Sequence, residues 1–463
     1  MAGWYLSLTL LLVVSAFFAA SSRARSVAGG NFAAMHSLPS YHGLYTATIV
    51  VVPMLIILVA GSIVVGQLAN YAAYGRLPAD VVGDHLKLGA AMREVMGLAA
   101  GQKMGEPSPE VLAASESYAS TLSLANWIML GIGGLVGLLA LFAGVSSVSM
   151  NFRARNAFER IVTGILLVCA TIAVLTTIGI VFSVVGETYR FFFDPAIKGK
   201  PGVFDFLFGT QWNPQAAMRE DQGEISTAYG FLPLLAGTLL ITTIAILVAG
   251  PLGLFSAIYL AEYASPRTRA VAKPILEILA GIPTVVLGFF AALTVAPLIR
   301  GWGESVGLDI ASESALAAGV VMGMMIIPFI SSLSDDVINA VPQSLRDGAY
   351  AMGATKSETI RQVVLPAALP GIVSAFMLAI SRAIGETMIV VMAAGLAANL
   401  TFNPLDAVTT ITVQIKTILV GDQEFDSAKT LAAFALGFVL FFVTLVLNFI
   451  ALKVVQKYRE QYD

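Results

Sequence analysis

Nine apolar runs, at roughly 4–20, 46–66, 125–147, 161–185, 231–259, 272–297, 314–333, 371–395 and 430–452, are each long enough to cross a hydrocarbon core of about 30 Å. They predict an all-α polytopic membrane protein with about nine transmembrane helices. Between the seventh and eighth runs lies Val341 to Gly371, the longest polar-containing interval of the C-terminal half that still reads as ordered helix. It is expected to be a structured loop between two spans.

The local chemistry of this interval predicts two short helices with a break. Pro342 suits a first helical turn, where its missing N–H costs nothing. Leu345, Ala349 and Met352 then fall on one face. Gly353 stands where a C-cap belongs. Thr355 and Glu358 have capping-box spacing, followed by Ile360, Val363 and Val364, and Pro366 and Pro370 punctuate the entry into the next apolar run. Taken alone, these features suit an ordinary helical hairpin capping the membrane domain.

Composition sets the same class independently. Of 463 residues, 57% are hydrophobic and 12% charged, with a mean hydropathy of +0.83. The charged fraction is about half that of soluble proteins, which is about 25%. A formal net charge of −3 gives no sign of nucleic-acid binding. The single cysteine, Cys169, lies inside an apolar run, which rules out a disulfide framework within one chain and a Cys-rich metal site. His36, His42 and His85 are scattered, form no HExxH pair, and read as solvated loop residues.

Charge placement predicts an orientation. The first run has no Lys or Arg before it, whereas Arg23 and Arg25 follow, the reverse of a secretory leader. It reads as a retained span with its N-terminus outside. If the 341–371 loop is cytoplasmic, alternation also puts Arg153, Arg155 and Arg160 inside, with Arg267, Arg269, Lys273, Lys453, Lys457 and Arg459. Each of these short segments is basic, as the positive-inside rule requires. The C-terminus is then cytoplasmic.

The chain divides into two parts. Residues 1–150 give three spans and an outside loop, of which Asp84 to Gln102 reads as a helix; no chemical motif is visible there, and the part reads as a packing or anchoring extension. Residues 151–463 give six spans. Phe191, Phe192, Phe193, Phe204, Phe206, Phe208 and Trp212, in the outside loop after the fourth span, read as an interfacial aromatic belt.

Polar groups inside the spans carry the candidate chemistry. Gly250-Pro251 and Gly281-Ile282-Pro283 are expected to break apolar helices and free backbone groups. Arg382 and Glu386 fall near the middle of the eighth run, where a charge costs about 2.5–3.5 kcal/mol. At i, i+4 spacing they would share one helix face, about 5–6 Å apart. Two readings follow: a buried ion pair locking two helices, or a fixed multidentate donor to an anion at Arg382, oriented by Glu386.

The 341–371 interval resembles the EAA loop of ABC-importer permeases, Glu-Ala-Ala, three residues, Gly, nine residues, then Ile-x-Leu-Pro. Asp347, Gly348 and Ala349 stand in the first three places, Gly353 in the glycine place and Val363-Val364-Leu365-Pro366 at the end. The spacing matches throughout; Asp347, Gly348 and Val363 depart from the favoured types, and Gly348 should weaken the helix by about 1 kcal/mol. The resemblance implies that Asp347, Gly348, Ala349, Gly353, Leu365 and Pro366 couple to a separate ATPase subunit.

Further segments resemble the PstC family of bacterial phosphate-importer permeases. They are Phe204 to Pro214, Ala257 to Phe290, Met325 to Asp336 and Ser381 to Gly395. This resemblance implies a type I ABC-importer permease core of six helices at the C-terminal side, in the bacterial inner membrane. It implies partners: a second PstA-like permease, a PstB-like cytoplasmic ATPase dimer and a PstS-like periplasmic phosphate-binding protein. It assigns phosphate passage to Arg382 and Glu386, with Ser381 and Thr387 as neighbours, and calls for no cofactor or metal.

The chain has no GxxxxGK[ST] of its own; Lys356-Ser357 follows Thr355 where Gly is required. ATP hydrolysis is expected of a partner. Alternative readings are a permease for another oxyanion such as molybdate or sulfate, an ion-driven secondary transporter, which should show an inverted repeat, and a non-transporting scaffold. No convincing repeat is visible. A scaffold has little reason to bear the insertion cost of Arg382 and Glu386.

Overall fold

The computed structural model describes residues 2–32, 35–102, 107–214, 229–308, 310–420 and 427–459. Among them regular structure is helical throughout, and one isolated antiparallel bridge joins Trp212 and Tyr229. Nine helical stretches among these residues are long and apolar enough to span a membrane, in agreement with the nine apolar runs. The protein is an all-α polytopic membrane protein. Its contacts group into two compact units, Met1–Leu175 and Thr176–Asp463.

The first unit holds α1 (Ala2–Ala28), α2 (Pro39–Tyr74), α3 (Ala79–Val82), α4 (His85–Ala99), α5 (Pro109–Ser146) and the start of α6 (Ala154–Phe193). Ser108 caps α5 by accepting from Val111 N, with Pro109 pre-set for the first turn. Small residues then let helices approach closely where lipid offers no hydrophobic drive. Gly133 of α5 lies on the ring of Tyr5, and a Cβ at Gly137 would come within 2.6 Å of Met54 Sδ. Tyr5 also donates its hydroxyl to Met54 O at 2.9 Å.

This unit corrects one expectation. His42 is not a solvated loop residue but is buried inside α2, beside Phe152. The helix starts at Pro39, several residues before hydropathy rises, because a proline start signal and a tolerant polar turn extend it. His36 is exposed as expected, and the side chain of His85 lies outside the described residues.

The second unit continues with α7 (Val203–Phe208), α8 (Leu232–Ile258), α9 (Pro266–Ala280), α10 (Thr284–Phe290), α11 (Ala296–Ser305), α12 (Ala315–Ala340) and α13 (Gln343–Ala351). Then follow α14 (Lys356–Thr359), α15 (Leu365–Ile384), α16 (Met388–Ala393), α17 (Ile411–Leu419) and α18 (Ala428–Arg459). One-turn π segments lie at Tyr259–Tyr263, Ala291–Val295 and Ile360–Val364. The core is built on α12, whose buried Val321, Met322, Ile326 and Ile330 pack with Ile241 and Ala245 of α8, Ala379 of α15 and Ile389 of α16. Gly319 permits a close approach of α8 to α12: a Cβ there would sit 2.6 Å from Ile244 Cγ2.

Of the two helix breaks expected from the sequence, one is present and one is not. The sixth run is split, α9 ending at Gly281 and α10 starting after Pro283, so the break at Gly281-Ile282-Pro283 is present. Gly250-Pro251 makes no break; α8 continues through Pro251 to Ile258. Neighbouring helices can satisfy the freed backbone group in such cases.

Candidate functional site

The 341–371 interval is two helical pieces with a turn, as its capping signals indicate. Pro342 is the residue before the first turn of α13 rather than inside it. Gly353 adopts φ +85°, a conformation that disfavours a side chain. Thr355 then forms the full capping box: its hydroxyl accepts from Glu358 N at 3.4 Å, while Glu358 Oε2 accepts from Thr355 N at 2.8 Å. The turn continues through the π segment Ile360–Val364 into α15, with Pro366 in its first turn and Leu365 and Pro366 half-buried.

The apolar stripe of α13 faces away from the protein. Leu345 is exposed, Met352 is 89% exposed, and Asp347, Gly348 and Gly353 are exposed beside them, with Ala349 half-buried. What α13 turns inward is Arg346, 8% exposed. Its Nε and Nη2 donate to Glu262 Oε1 at 3.1 and 2.9 Å, Nη1 to Val341 O at 2.6 Å and Nη2 to Ile338 O at 2.8 Å. Sequence reasoning passed over both residues. The available signal was a charge pattern: Glu262 is an acid at the end of an apolar run, and Arg346 lies off the apolar face of its helix.

A second ion cluster fixes the adjoining ends of α9 and α12. Asp335 is 1% exposed and accepts from Arg269 Nη2 on both oxygens, at 3.0 and 2.8 Å, and from Lys273 Nζ at 2.9 Å. Lys273 also donates to Asp336 Oδ1 at 2.9 Å. Hydrogen bonds to Asp335, then to Asp336, push the Lys273 ammonium above its ordinary value. Sequence reasoning used Arg269 and Lys273 only for orientation; the acids that hold them sit about one helical turn from the end of α12.

The residues expected at mid-span lie at a helix end. α15 stops at Ile384 with Gly385 as its cap, so Arg382 is in the last turn and Glu386 is beyond it. The shared helix face is therefore absent, because Gly385 ends the helix between the two. Glu386 Oε1 instead accepts from Met388 N at 2.9 Å and Ile389 N at 3.3 Å, covering free amides at the start of α16. Thr412 Oγ1 donates to Glu386 O at 2.9 Å, and Thr387 Oγ1 to Gly385 O at 3.4 Å. Ser381 Oγ donates to Asn448 Oδ1 of α18 at 3.2 Å. Arg382 is exposed, its guanidinium carbon 5.8 Å from the Phe329 ring centroid, and among the described residues no carboxylate forms an ion pair with it.

The aromatic loop is only partly a surface belt. Phe191, Phe206 and Trp212 are buried with Tyr229 in an edge-to-face cluster, while Phe193, Phe204 and Phe208 are exposed. The bridge between Trp212 and Tyr229 turns part of the loop inward. Trp212 Nε1 donates to Gln414 Oε1 at 3.0 Å, and burial pushes the Tyr229 phenol up to about 12.

Comparison with known proteins gives the family. The family profile described as "Binding-protein-dependent transport system inner membrane component" matches residues 249–460. That described as "Phosphate ATP-binding cassette transporter" matches residues 6–176, which take in most of the part without a visible motif and continue into the fourth span. The chain is 35% identical over 246 residues to the probable ABC transporter permease protein YqgH of Bacillus subtilis, covering 53% of this chain and 74% of that one. It is 32% identical over 278 residues to phosphate transport system permease protein PstC 1 of Mycobacterium tuberculosis, covering 54% and 81%. The chain belongs to the PstC family of ABC-transporter permeases. A further PstC, from Mesorhizobium japonicum, is 33% identical over 266 residues, covering 54% and 77%. Membership makes this a multi-pass permease subunit of the inner membrane, with the importer-type core in its C-terminal part.

Proposed function

We propose that this chain forms the phosphate pathway of an ATP-driven importer and that Arg382 is the group that meets the anion. The observation that carries this reading is the unpaired guanidinium. Glu386 spends its carboxylate on backbone amides, and among the described residues Arg382 keeps its donors free at an exposed helix end. A planar guanidinium suits a tetrahedral oxyanion because it offers several donors in fixed geometry. Glu386, Ser381 and Thr387 hold the shape of the corner on which it sits.

The 341–371 loop couples this pathway to ATP hydrolysis by a partner. The exposed Leu345, Asp347, Gly348 and Met352 dock into a PstB-like ATPase of a cytoplasmic dimer, and Gly353, Leu365 and Pro366 carry the chain back into α15. A PstA-like second permease completes the pathway, and a PstS-like periplasmic protein delivers phosphate. In this reading the N-terminus is outside, the C-terminus is cytoplasmic, and residues 1–150 are an extension of the 151–463 core.

Radiolabelled phosphate uptake in cells carrying the full set of partners tests the proposal. Arg382→Gln should abolish uptake while the complex still assembles. Loss of assembly instead assigns Arg382 a structural role. A wild type that moves molybdate or sulfate but not phosphate removes the substrate assignment.

A further inference from the structure

Arg346 is the only buried residue of α13, and it is a cation. A helix that docks on its own protein is ordinarily anchored by apolar side chains; here those point outward and a guanidinium points in. That guanidinium joins three pieces of chain. It donates to Glu262 in the π segment that ends α8, to Ile338 O in the last turns of α12, and to Val341 O at the entry to α13. The same π segment is met from the other side of the loop, where Lys356 Nζ lies 4.9 Å from the ring centroid of Tyr263.

Resting on the reading of 341–371 as the ATPase-coupling loop, we infer that the Arg346–Glu262 pair is a strut. It transmits displacement of α13 directly to α8 and α12, the two helices at the centre of the core. A rigid planar fork with several short, charge-assisted bonds in a sheltered site resists sliding in more than one direction. A contact between flexible apolar side chains would yield. Arg346 and Glu262 are positioning residues; neither touches the anion.

The test uses the complete transporter in proteoliposomes, with inorganic phosphate uptake and ATP hydrolysis measured on the same vesicles. The variants are Glu262→Gln, Arg346→Lys and the double variant Arg346→Met/Glu262→Gln. The last leaves no unpaired buried charge, so its fold is protected. Assembled complexes carrying Glu262→Gln or the double variant should still hydrolyse ATP but move at least tenfold less phosphate per ATP. Arg346→Lys, which cannot hold all partners together, should fall between these and wild type.

Unchanged phosphate per ATP in assembled Glu262→Gln and double-variant complexes overturns the strut. So does failure of both to assemble, which makes the pair structural, or an Arg346→Lys complex equal to wild type. Met352→Glu separates this inference from the reading it rests on. It places a charge on the outward face and should release the ATPase; if the ATPase stays bound and uptake is normal, the coupling-loop reading fails first.

Discussion

Asp335 receives Arg269 on both carboxylate oxygens, at 3.0 and 2.8 Å, and is itself almost wholly buried. Its partners are not: Arg269 and Lys273 each keep about a third of their side chains in solvent. Asp335→Ala therefore leaves two cations that can still reach water, and should cost about 1–3 kcal/mol. Asp336→Ala removes a partner that is 62% exposed and should cost under about 1 kcal/mol. Thermal unfolding of the two variants in nanodiscs checks the order; equal losses would mean that burial of Asp335 does not matter.

The same cluster gives a pH dependence. Hydrogen bonds to Asp335 and Asp336 raise the folded-state value of Lys273 above the ordinary 10.5. A cation with a raised folded value contributes stability that is fully present below the unfolded value and is lost as pH rises through the folded one. Unfolding temperature should thus hold steady from neutral pH to about 10 and fall above it, with the fall reduced in Lys273→Met. An equal alkaline fall in Lys273→Met would assign it to other groups.

Spans and caps were legible because each is written in consecutive residues. The nine apolar runs are matched in number by nine helices among the described residues that are long and apolar enough to span a membrane, and Thr355 with Glu358 formed the capping box that their spacing specifies. What sequence concealed depends on where a helix stops or which side faces in. Gly385 ends α15 and parts Arg382 from Glu386; a lone glycine inside an apolar run does not reveal this, since many are tolerated in membrane helices. Arg346 and Glu262 stand 84 residues apart, a separation that local periodicity cannot bridge.

Gly353 and Gly348 should respond in opposite directions. Gly353 has φ +85° with open space around its Cα, so Gly353→Ala meets no clash but pays for a left-handed backbone, about 1–2 kcal/mol. Gly348 is inside α13 with nothing within 4 Å, and Gly348→Ala should firm that helix by about 1 kcal/mol. Hydrogen exchange of the 343–351 amides reads both: faster in Gly353→Ala, slower in Gly348→Ala. Slower exchange in both would mean that the turn at Gly353 tolerates a side chain.

The aromatic cluster around Trp212 and Tyr229 offers a contrast between a satisfied and an orphaned polar group. Gln414 Oε1 accepts from Trp212 Nε1 at 3.0 Å, and its amide donates to Thr409 Oγ1 at 3.2 Å, tying α17 to the loop before α8. Gln414→Leu leaves the buried indole N–H without its acceptor and should cost about 1–3 kcal/mol. Tyr229, equally buried and in the same cluster, has a hydroxyl with no partner among the described residues. Removing it in Tyr229→Phe should be neutral or slightly stabilising, since the buried oxygen gives up its water without replacement. Thermal unfolding followed by tryptophan fluorescence compares the two. A loss in Tyr229→Phe as large as that in Gln414→Leu would mean that the hydroxyl is hydrogen-bonded in the folded protein.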